Sequence, residues 1–312
     1  MFQPDKGADL NVSQSRTIVP DYELPSAMAV ALHTFDTQRT LETLAVEMAH
    51  HVGVLLIGPD GPDLHAFANG QPVPERFAVV TAEYESPWLR DHGPIAVRSM
   101  DGVHQILPRL NHVKRPKDVV LFESLMATPC EQTSLFLHAG NLVRGPNGIA
   151  ISTNDLLGLN GLTDMAQLDP SARQLGVNHW VVVDAFSDDA SKHTDCMVRF
   201  LSPTLCAVVR RSDNAKACQT IDFLMGELQQ LIPDLRFLEI QAKATGAHFD
   251  SPVNWVQLGQ TILLPRFGAD DPNCQGAADS VAAEGYVPVF IDCATKGLGG
   301  GLHCLTASIY AS

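Results

Sequence analysis

The chain has 312 residues, of which 45% are hydrophobic and 18% are charged, and its formal net charge is −14 at pH 7. This balance is typical of a globular protein with a sizeable core, and the acidic surplus argues against the basic surface that nucleic-acid binding needs. The sequence contains no run of about 18 apolar residues, the length that a membrane-spanning helix needs. Its first 30 residues contain no apolar signal-peptide core.

The seven cysteines are odd in number and form no CxxC pair. A disulfide framework and a zinc ribbon are therefore poor interpretations, and reduced thiols in a cytoplasmic protein are expected. Most of these cysteines should be small, buried apolar side chains.

Short strand-like runs rich in Val, Ile and Leu occur along the whole chain, as in sheets buried between other layers. They cover residues 52–57, 77–81, 94–97, 103–107, 148–153, 180–185, 204–209, 236–241, 255–264, 286–291 and 305–310. Apolar residues at helical spacing predict helices over 37–51, 116–127, 165–175, 213–232 and 275–285. Asp213 is the predicted N-cap of the fourth helix. The mixture, without a linker, predicts one α/β domain over residues 21–312 that follows an N-terminal tail over residues 1–20.

Two stretches place polar side chains beside turns. In SPWLRDHGPIAV, the residues Trp88, Arg90 and Asp91 precede a Gly-Pro turn that starts a strand. Asp91 is either a turn carboxylate or a fixed carboxylate that can hold a cation. In LFLHAGNLVRGPNG, which taken alone is a hairpin, an apolar strand meets His138 and Asn141. His138 is either a satisfied, half-buried histidine or a functional one.

Two further stretches carry a His–Asp pair and a thiol. His193 and Asp195 in SKHTDCMVRF are two residues apart, so both side chains would face the same way on an extended strand. A histidine beside a carboxylate can serve acid–base chemistry or metal binding. In GLGGGLHC, three glycines precede Cys304, which indicates that another group approaches the backbone closely. Zinc is conceivable with Cys196, His303 and Cys304, but no ligand spacing supports it, so no metal site is predicted.

A thiol, a His–Asp pair and a second carboxylate are together the components of nucleophilic catalysis at a cationic carbon. Their order, WxRDxGP, GN, HxD and GGGxHC, resembles the agmatine deiminase and bacterial peptidylarginine deiminase group of the guanidine-modifying (pentein) superfamily. Residues 248–273 and the segment VFIDCATKGLGGGLHC are similar to the same group. The resemblance implies the pentein fold, a five-bladed α/β propeller of ββαβ-type units with a central active site.

The resemblance also implies roles for individual residues. Cys304 would be the nucleophile and His193 the general acid/base. Asp91 and Asp195 would be the carboxylates that hold a guanidinium. The other implied substrate contacts are Trp88, Arg90, His138, Asn141, Asn254 and Gly301. The family usually has an acidic residue where this chain has His138, so the resemblance does not define which compound is the substrate.

The sequence therefore predicts a cysteine-dependent, deiminase-type hydrolase that acts on a guanidine or amidine-like C–N bond. A small-molecule substrate and a homodimer are expected, with neither nucleic acid nor membrane as a partner and with no metal or organic cofactor. An amidinotransferase on the same scaffold and a non-catalytic binding protein are the alternatives.

Overall fold

The computed structural model describes residues 16–32, 37–111, 115–125, 130–246 and 248–311 of the chain. The strands within these ranges are β1 (Thr17–Ile18), β2 (Ala27–Ala31), β3 (Gly53–Gly58), β4 (Phe77–Thr81), β5 (Ile95–Ser99), β6 (Gly102–Arg109), β7 (Glu131–Phe136), β8 (Val143–Arg144), β9 (Ile149–Thr153), β10 (His179–Val183), β11 (Val198–Ser202), β12 (Leu205–Arg211), β13 (Arg236–Ala242), β14 (Val256–Leu258), β15 (Thr261–Arg266), β16 (Val287–Asp292) and β17 (Thr306–Ile309). The α-helices of the same ranges are α1 (Gln38–Ala49), α2 (Gly61–Asn69), α3 (Leu89–His92), α4 (Pro116–Leu125), α5 (Asp155–Asn160), α6 (Asp169–Leu175), α7 (Ala215–Leu231) and α8 (Pro272–Ala283).

The strands form five sheets that share one arrangement, although in the fifth the antiparallel pair joins β17 to β2 from the other end of the described chain. Their strand orders are β1-β5-β6-β7, β8-β9-β10, β11-β12-β13, β14-β15-β16 and β17-β2-β3-β4. In each sheet an antiparallel pair is followed by a helical connection to another strand, which runs parallel to the second strand of the pair. A crossover is required because parallel neighbours cannot be joined by a tight turn. Each sheet therefore contains a ββαβ unit, a repeat of topology that is not visible as a repeat in the sequence.

Two of the sheets include strands from the beginning of the described chain. β17 pairs antiparallel with β2, with Thr306 opposite Val30. Thr17–Ile18, which the sequence prediction assigned to the tail, forms β1 and pairs antiparallel with β5. Ile18 is fully buried, which explains why this segment is held against the sheet. Residues 1–15 of the predicted tail lie outside the described ranges, and the single domain over residues 21–312 stays a prediction.

The mixed α/β class is confirmed, whereas three local expectations differ from the structure. Residues 255–264 form two strands, β14 and β15, because the chain turns at Gly259, whose φ is +63°. The N-cap of α7 is Asn214, whose Oδ1 accepts a hydrogen bond from the Ala217 N–H at 3.1 Å. Asp213 instead accepts a hydrogen bond from Arg211 Nε at 2.9 Å. The strand before His138, expected to be apolar, is β7, whose sequence, EQTSLF, is mostly polar.

α7 shows how the helices are held against the sheets. Ala217, Ile221, Leu224 and Leu228 recur at helical spacing and are all buried on one face of α7. Burial of an aliphatic side chain of this size stabilises the fold by about 1.5–3 kcal/mol relative to its exposure. Within the described ranges, no helix combines the length and the apolar character that a membrane crossing requires.

Candidate active site

The side chains selected from the sequence occupy equivalent places in the five sheets. Each lies in the segment that leads into the antiparallel pair of a unit. The segment before β5 holds Trp88, Arg90 and Asp91, that before β8 holds His138 and Asn141, that before β11 holds His193 and Asp195, that before β14 holds Asn254, and that before β17 holds Gly301 and Cys304. This shared position explains how residues far apart in the chain come into contact.

A cavity of about 580 Å³ lies where these segments meet. Its lining residues are Trp88, Asp91, Asn111, Arg115, His138, Ala190, Ser191, His193, Leu298, Gly299 and Cys304. The predicted residues outside this lining are Arg90, Asn141, Asp195, Asn254 and Gly301. The structure therefore divides the predicted set into side chains that face the cavity and side chains that lie behind them.

Asn254 fixes the position of the Cys304 thiol. Its Oδ1 accepts hydrogen bonds from the backbone N–H groups of Gly301 and Cys304, at 2.9 and 3.1 Å, and its Nδ2 donates to Cys304 Sγ at 3.2 Å. A Cβ at position 301 would lie 3.0 Å from both oxygens of Asn254, so glycine is required by the close approach of this neighbour. Both residues thus position the thiol from behind.

The resting thiol of Cys304 is protonated at neutral pH. A hydrogen bond with Cys196 lowers the pKa of the Cys304 thiol, but burial and the negative charges of Asp195 and Asp91 outweigh it and leave that pKa above its usual value. A cation bound beside the sulfur would stabilise the thiolate and so reverse this effect.

Asp195 is fully buried beneath Cys304. Its Oδ2 lies 3.5 Å from Cys304 Sγ and accepts a hydrogen bond from His303 Nδ1 at 2.7 Å. Burial and three neighbouring buried arginines hold the pKa of His303 well below its usual value, so that imidazole is neutral. The extended strand expected around Asp195 is wrong, because a 3₁₀ turn, Thr194–Cys196, follows His193.

His193 lies between a carboxylate and a second imidazole. Its Nδ1 is 3.4 Å from Asp91 Oδ1, and its Nε2 is 3.2 Å from His138 Nδ1. Gly140 permits this approach, because a Cβ there would be 2.8 Å from His193 Nδ1 and 3.0 Å from Asp91 Oδ1. The Asp91 carboxylate favours a proton on Nδ1 and leaves the lone pair of Nε2 for other partners.

Two predicted substrate contacts have structural partners instead. The Arg90 guanidinium is buried and donates to the hydroxyl oxygens of Thr306 and Ser308 at 3.4 and 3.3 Å. Asn141 Oδ1 accepts from the backbone N–H of Thr153 at 2.9 Å and of Thr194 at 3.3 Å. Arg90 and Asn141 therefore hold the segments around the site and do not face the cavity.

The sequence of almost the whole chain matches one protein family. A model of the Porphyromonas-type peptidyl-arginine deiminase family matches residues 23–309. The chain belongs to this family. The resemblance seen in the ordered motifs is thereby confirmed, and among curated protein sequences none matches the chain.

Solved structures of deiminases have the same mixed α/β fold. A candidate arginine deiminase from Porphyromonas gingivalis is 18% identical, with a TM-score of 0.80 over 94% of this chain and 98% of that one. C. jejuni agmatine deiminase is 16% identical, with a TM-score of 0.79 over 95% and 97%. Enterococcus faecalis agmatine deiminase is 15% identical, with a TM-score of 0.77 over 95% and 96%. At these identities the likeness defines the fold alone, which is the mixed α/β fold of these deiminases.

The sequence analysis did not identify several buried charged or polar groups that lie behind the candidate active site. Arg144 is buried and its Nε donates to Asp21 Oδ1 at 2.7 Å, and Arg199 is buried on β11 nearby. His303, considered only as a zinc ligand, is the hydrogen-bond partner of Asp195. The available signal was an arginine inside an apolar strand, as in MVRF, because arginine is rarely buried without a charged neighbour.

Asp195 gives the stability of the protein a pH dependence of definite sign. Burial raises the pKa of its carboxyl to about 6, whereas an unfolded Asp titrates near ~3.9. The folded state therefore binds more protons between these values, so the contribution of Asp195 to stability falls as pH rises from about 4 through about 6. We expect Asp195→Asn to raise the free energy of unfolding at pH 7 by about 3 kcal/mol, while it lowers activity.

Urea denaturation of the two proteins at pH 7 and pH 4 measures this effect. The stability difference should shrink at pH 4, where the Asp195 carboxyl is protonated in the folded protein and already about half protonated in the unfolded chain. An Asp195→Asn protein that is no more stable than the native one at pH 7 would contradict the prediction.

Proposed function

We propose that this chain is a cysteine-dependent hydrolase that acts on a guanidine or amidine-like C–N bond of a small molecule. The observation that carries the proposal is one cavity faced by the Cys304 thiol, the His193 imidazole and the Asp91 carboxylate, with Asp195 directly behind the sulfur. Membership of a deiminase family supports it. The reaction is therefore assigned to the deiminase class.

Binding of a cationic head group starts the reaction. Asp91 faces the cavity and holds the central carbon of the cation next to Cys304 Sγ, while the negative charge of Asp195 attracts the cation from behind the sulfur. This placement removes much of the entropic cost of the encounter. The positive charge beside the sulfur offsets the two carboxylates that raise the pKa of the thiol. The thiol proton then passes to His193, the imidazole that we assign as the base because it faces the same cavity as Cys304.

The chemical steps balance around Cys304 and His193. The thiolate adds to the guanidine carbon and forms an S–C bond, and His193 gives its proton to one nitrogen, which departs as an amine when the C–N bond breaks. The product of this half is a covalent S-amidino intermediate. His193 then takes a proton from water, the resulting hydroxide adds to the same carbon, and the S–C bond breaks to release a ureido product and the thiolate.

The arrangement of the sheets belongs to the same proposal. We take the five ββαβ units as blades around a central site, because the segment that precedes each antiparallel pair contributes a site residue. The single domain over residues 21–312, the homodimer and the cytoplasmic location stay predictions, as does the expectation of a small-molecule partner without nucleic acid or membrane.

The substrate should carry less positive charge than agmatine, or should bind its guanidine differently. His138 stands where the family usually has a carboxylate, and an imidazole cannot neutralise a guanidinium. The Arg115 guanidinium also lines the cavity, with its Nη1 donating to Ser86 Oγ at 3.2 Å. Agmatine has a second cation, an amine, which Arg115 would repel.

A panel of guanidines and amidines tests the proposed function. The native protein should release ammonia or a urea from at least one member, and the Cys304→Ser variant serves as the blank. If the native protein turns over no member of the panel faster than Cys304→Ser does, the result would contradict a hydrolase function and would favour a non-catalytic binding protein. Loss of substrate only when an acceptor amine is supplied would identify the amidinotransferase.

Restoring the acid at position 138 tests what limits the substrate. We expect His138→Glu to raise kcat/KM for agmatine or arginine by roughly 10–100-fold, because a carboxylate adds one charge-assisted hydrogen bond to the guanidinium. His138→Gln is the matched control, since it is neutral and similar in size. Equal kinetics in the two variants would mean that residue 138 does not contact the guanidine.

A further inference from the structure

Three donor side chains on the cavity wall form a cluster that the proposed chemistry does not need in full. One ligand atom each of Asp91, His138 and His193 lies within 4.8 Å of the others. The shortest separation is 3.2 Å, between His138 Nδ1 and His193 Nε2. All three side chains line the cavity, so an ion can reach them from solvent.

The nitrogen separation fits a shared metal ion. Zinc binds imidazole nitrogens at about 2.0–2.1 Å in tetrahedral geometry, and two ligands at that distance lie roughly 3.3 Å apart. The imidazoles of His138 and His193 therefore already have the spacing of two zinc ligands. Imidazole nitrogen also selects zinc and similar transition ions over magnesium and calcium, which prefer oxygen.

Asp91 completes the arrangement in a way that known zinc sites share. Its Oδ1 faces Nδ1 of His193, the ring nitrogen opposite the one that faces His138. A carboxylate in this place keeps the proton on Nδ1, orients the ring and makes Nε2 a better ligand. Because His138 and His193 both line the cavity, an ion between them has space for water or a small ligand, as in zinc sites that keep an open position.

We propose that His138, His193 and Asp91 form a binding site for Zn²⁺ or a similar transition-metal ion, and that the bound ion inhibits the enzyme. A metal on His193 Nε2 occupies the lone pair that the proposed hydrolysis uses for proton transfer. The ion also places positive charge where a cationic substrate must bind. The inhibition rests on the proposed function, whereas metal binding does not depend on it.

Metal titration of the full chain tests the binding. Zn²⁺ is followed by calorimetry and Co²⁺ by its visible ligand-field bands, and we expect one ion per chain. His138→Ala should weaken binding by more than about 100-fold, and Asp91→Asn by roughly 10–100-fold, the range typical of an outer-shell partner. His179→Ala, at an exposed position on β10, is the matched control and should bind like the native protein.

Three outcomes would contradict the proposal in whole or in part. Undiminished binding by a His138→Ala protein with native circular dichroism would overturn the site, and His138→Gln provides a second variant should the alanine protein misfold. Loss of binding in Cys304→Ala, with binding retained in His138→Ala, would assign the ion to the thiol. Binding that requires His138 but leaves substrate turnover unchanged would overturn the inhibition alone. If no substrate is turned over, the spectra still decide the binding.

Discussion

Replacement of Cys304 by serine is expected to lower turnover of any guanidine substrate by roughly 10⁴–10⁶-fold, the range seen when a catalytic nucleophile is removed. A serine hydroxyl can keep the contact with Asn254 Nδ2, which holds the present sulfur at 3.2 Å, so the fold should persist. Its alkoxide is far harder to form than a thiolate, even beside a bound cation. The measurement is the initial rate of ammonia or urea release, with circular dichroism to verify folding.

Alkylation provides an independent test of the same residue. A haloacetamidine is a cationic guanidinium mimic whose halide is displaced by a thiolate, so it should label Cys304 faster than a neutral haloacetamide does. The label should disappear in His193→Ala and in Asp91→Ala, while Cys206→Ser, which changes a buried thiol in β12, should label normally. If Cys304 reacts no faster than the other six cysteines, the nucleophile assignment fails.

Replacement of His193 by glutamine should lower kcat by roughly 10²–10⁴-fold, the usual contribution of a general acid/base. Without the His193 imidazole, the departing nitrogen of the substrate receives no proton and the attacking water has no base. Because Asp91 still contacts the cation and the charge of Asp195 still attracts it, KM should change by much less than kcat. The steady-state kinetics of His193→Gln and of His179→Gln, a change at an exposed histidine, measure this split.

A His193→Gln enzyme that retains kcat within a few-fold of the native value would show that another group transfers the proton. His138 would then be the first candidate for the proton transfer, because its Nδ1 lies 3.2 Å from His193 Nε2. A double variant at positions 138 and 193 separates these two assignments.

The sequence was most informative where short motifs carry the chemistry. Asp91, His193 and Cys304 lie beside turns and glycines, and their order along the chain was sufficient to identify the family. The reason for the glycines was only half visible: the motif indicated a close approach, but not that Asn254 is what approaches Gly301. Contacts between distant segments leave no local signal.

Arg90 shows why the sequence does not reveal which side chains face the cavity. Arg90 stands next to Asp91, yet its guanidinium is directed to the hydroxyls of Thr306 and Ser308 behind the site. Two residues that are adjacent in sequence can therefore point to opposite sides of the segment, one toward the cavity and one away from it. Composition and spacing do not show which residue does which. The ββαβ repeat was likewise hidden, because different side chains fill equivalent positions in each sheet and only the backbone connectivity is common.

The pairing of β17 with β2 has a consequence for how the enzyme becomes active. In the four other sheets the antiparallel pair of the ββαβ unit is local, as between Ser202 and Leu205, whereas Thr306 pairs with Val30 across 276 positions (306 − 30). Closing so long a loop has a larger entropic cost and raises the contact order of that sheet. The segment that carries Cys304 leads directly into β17, so the nucleophile depends on the longest-range strand pairing in the described chain. Units with local pairs can form from neighbouring residues, but catalytic competence must await global folding.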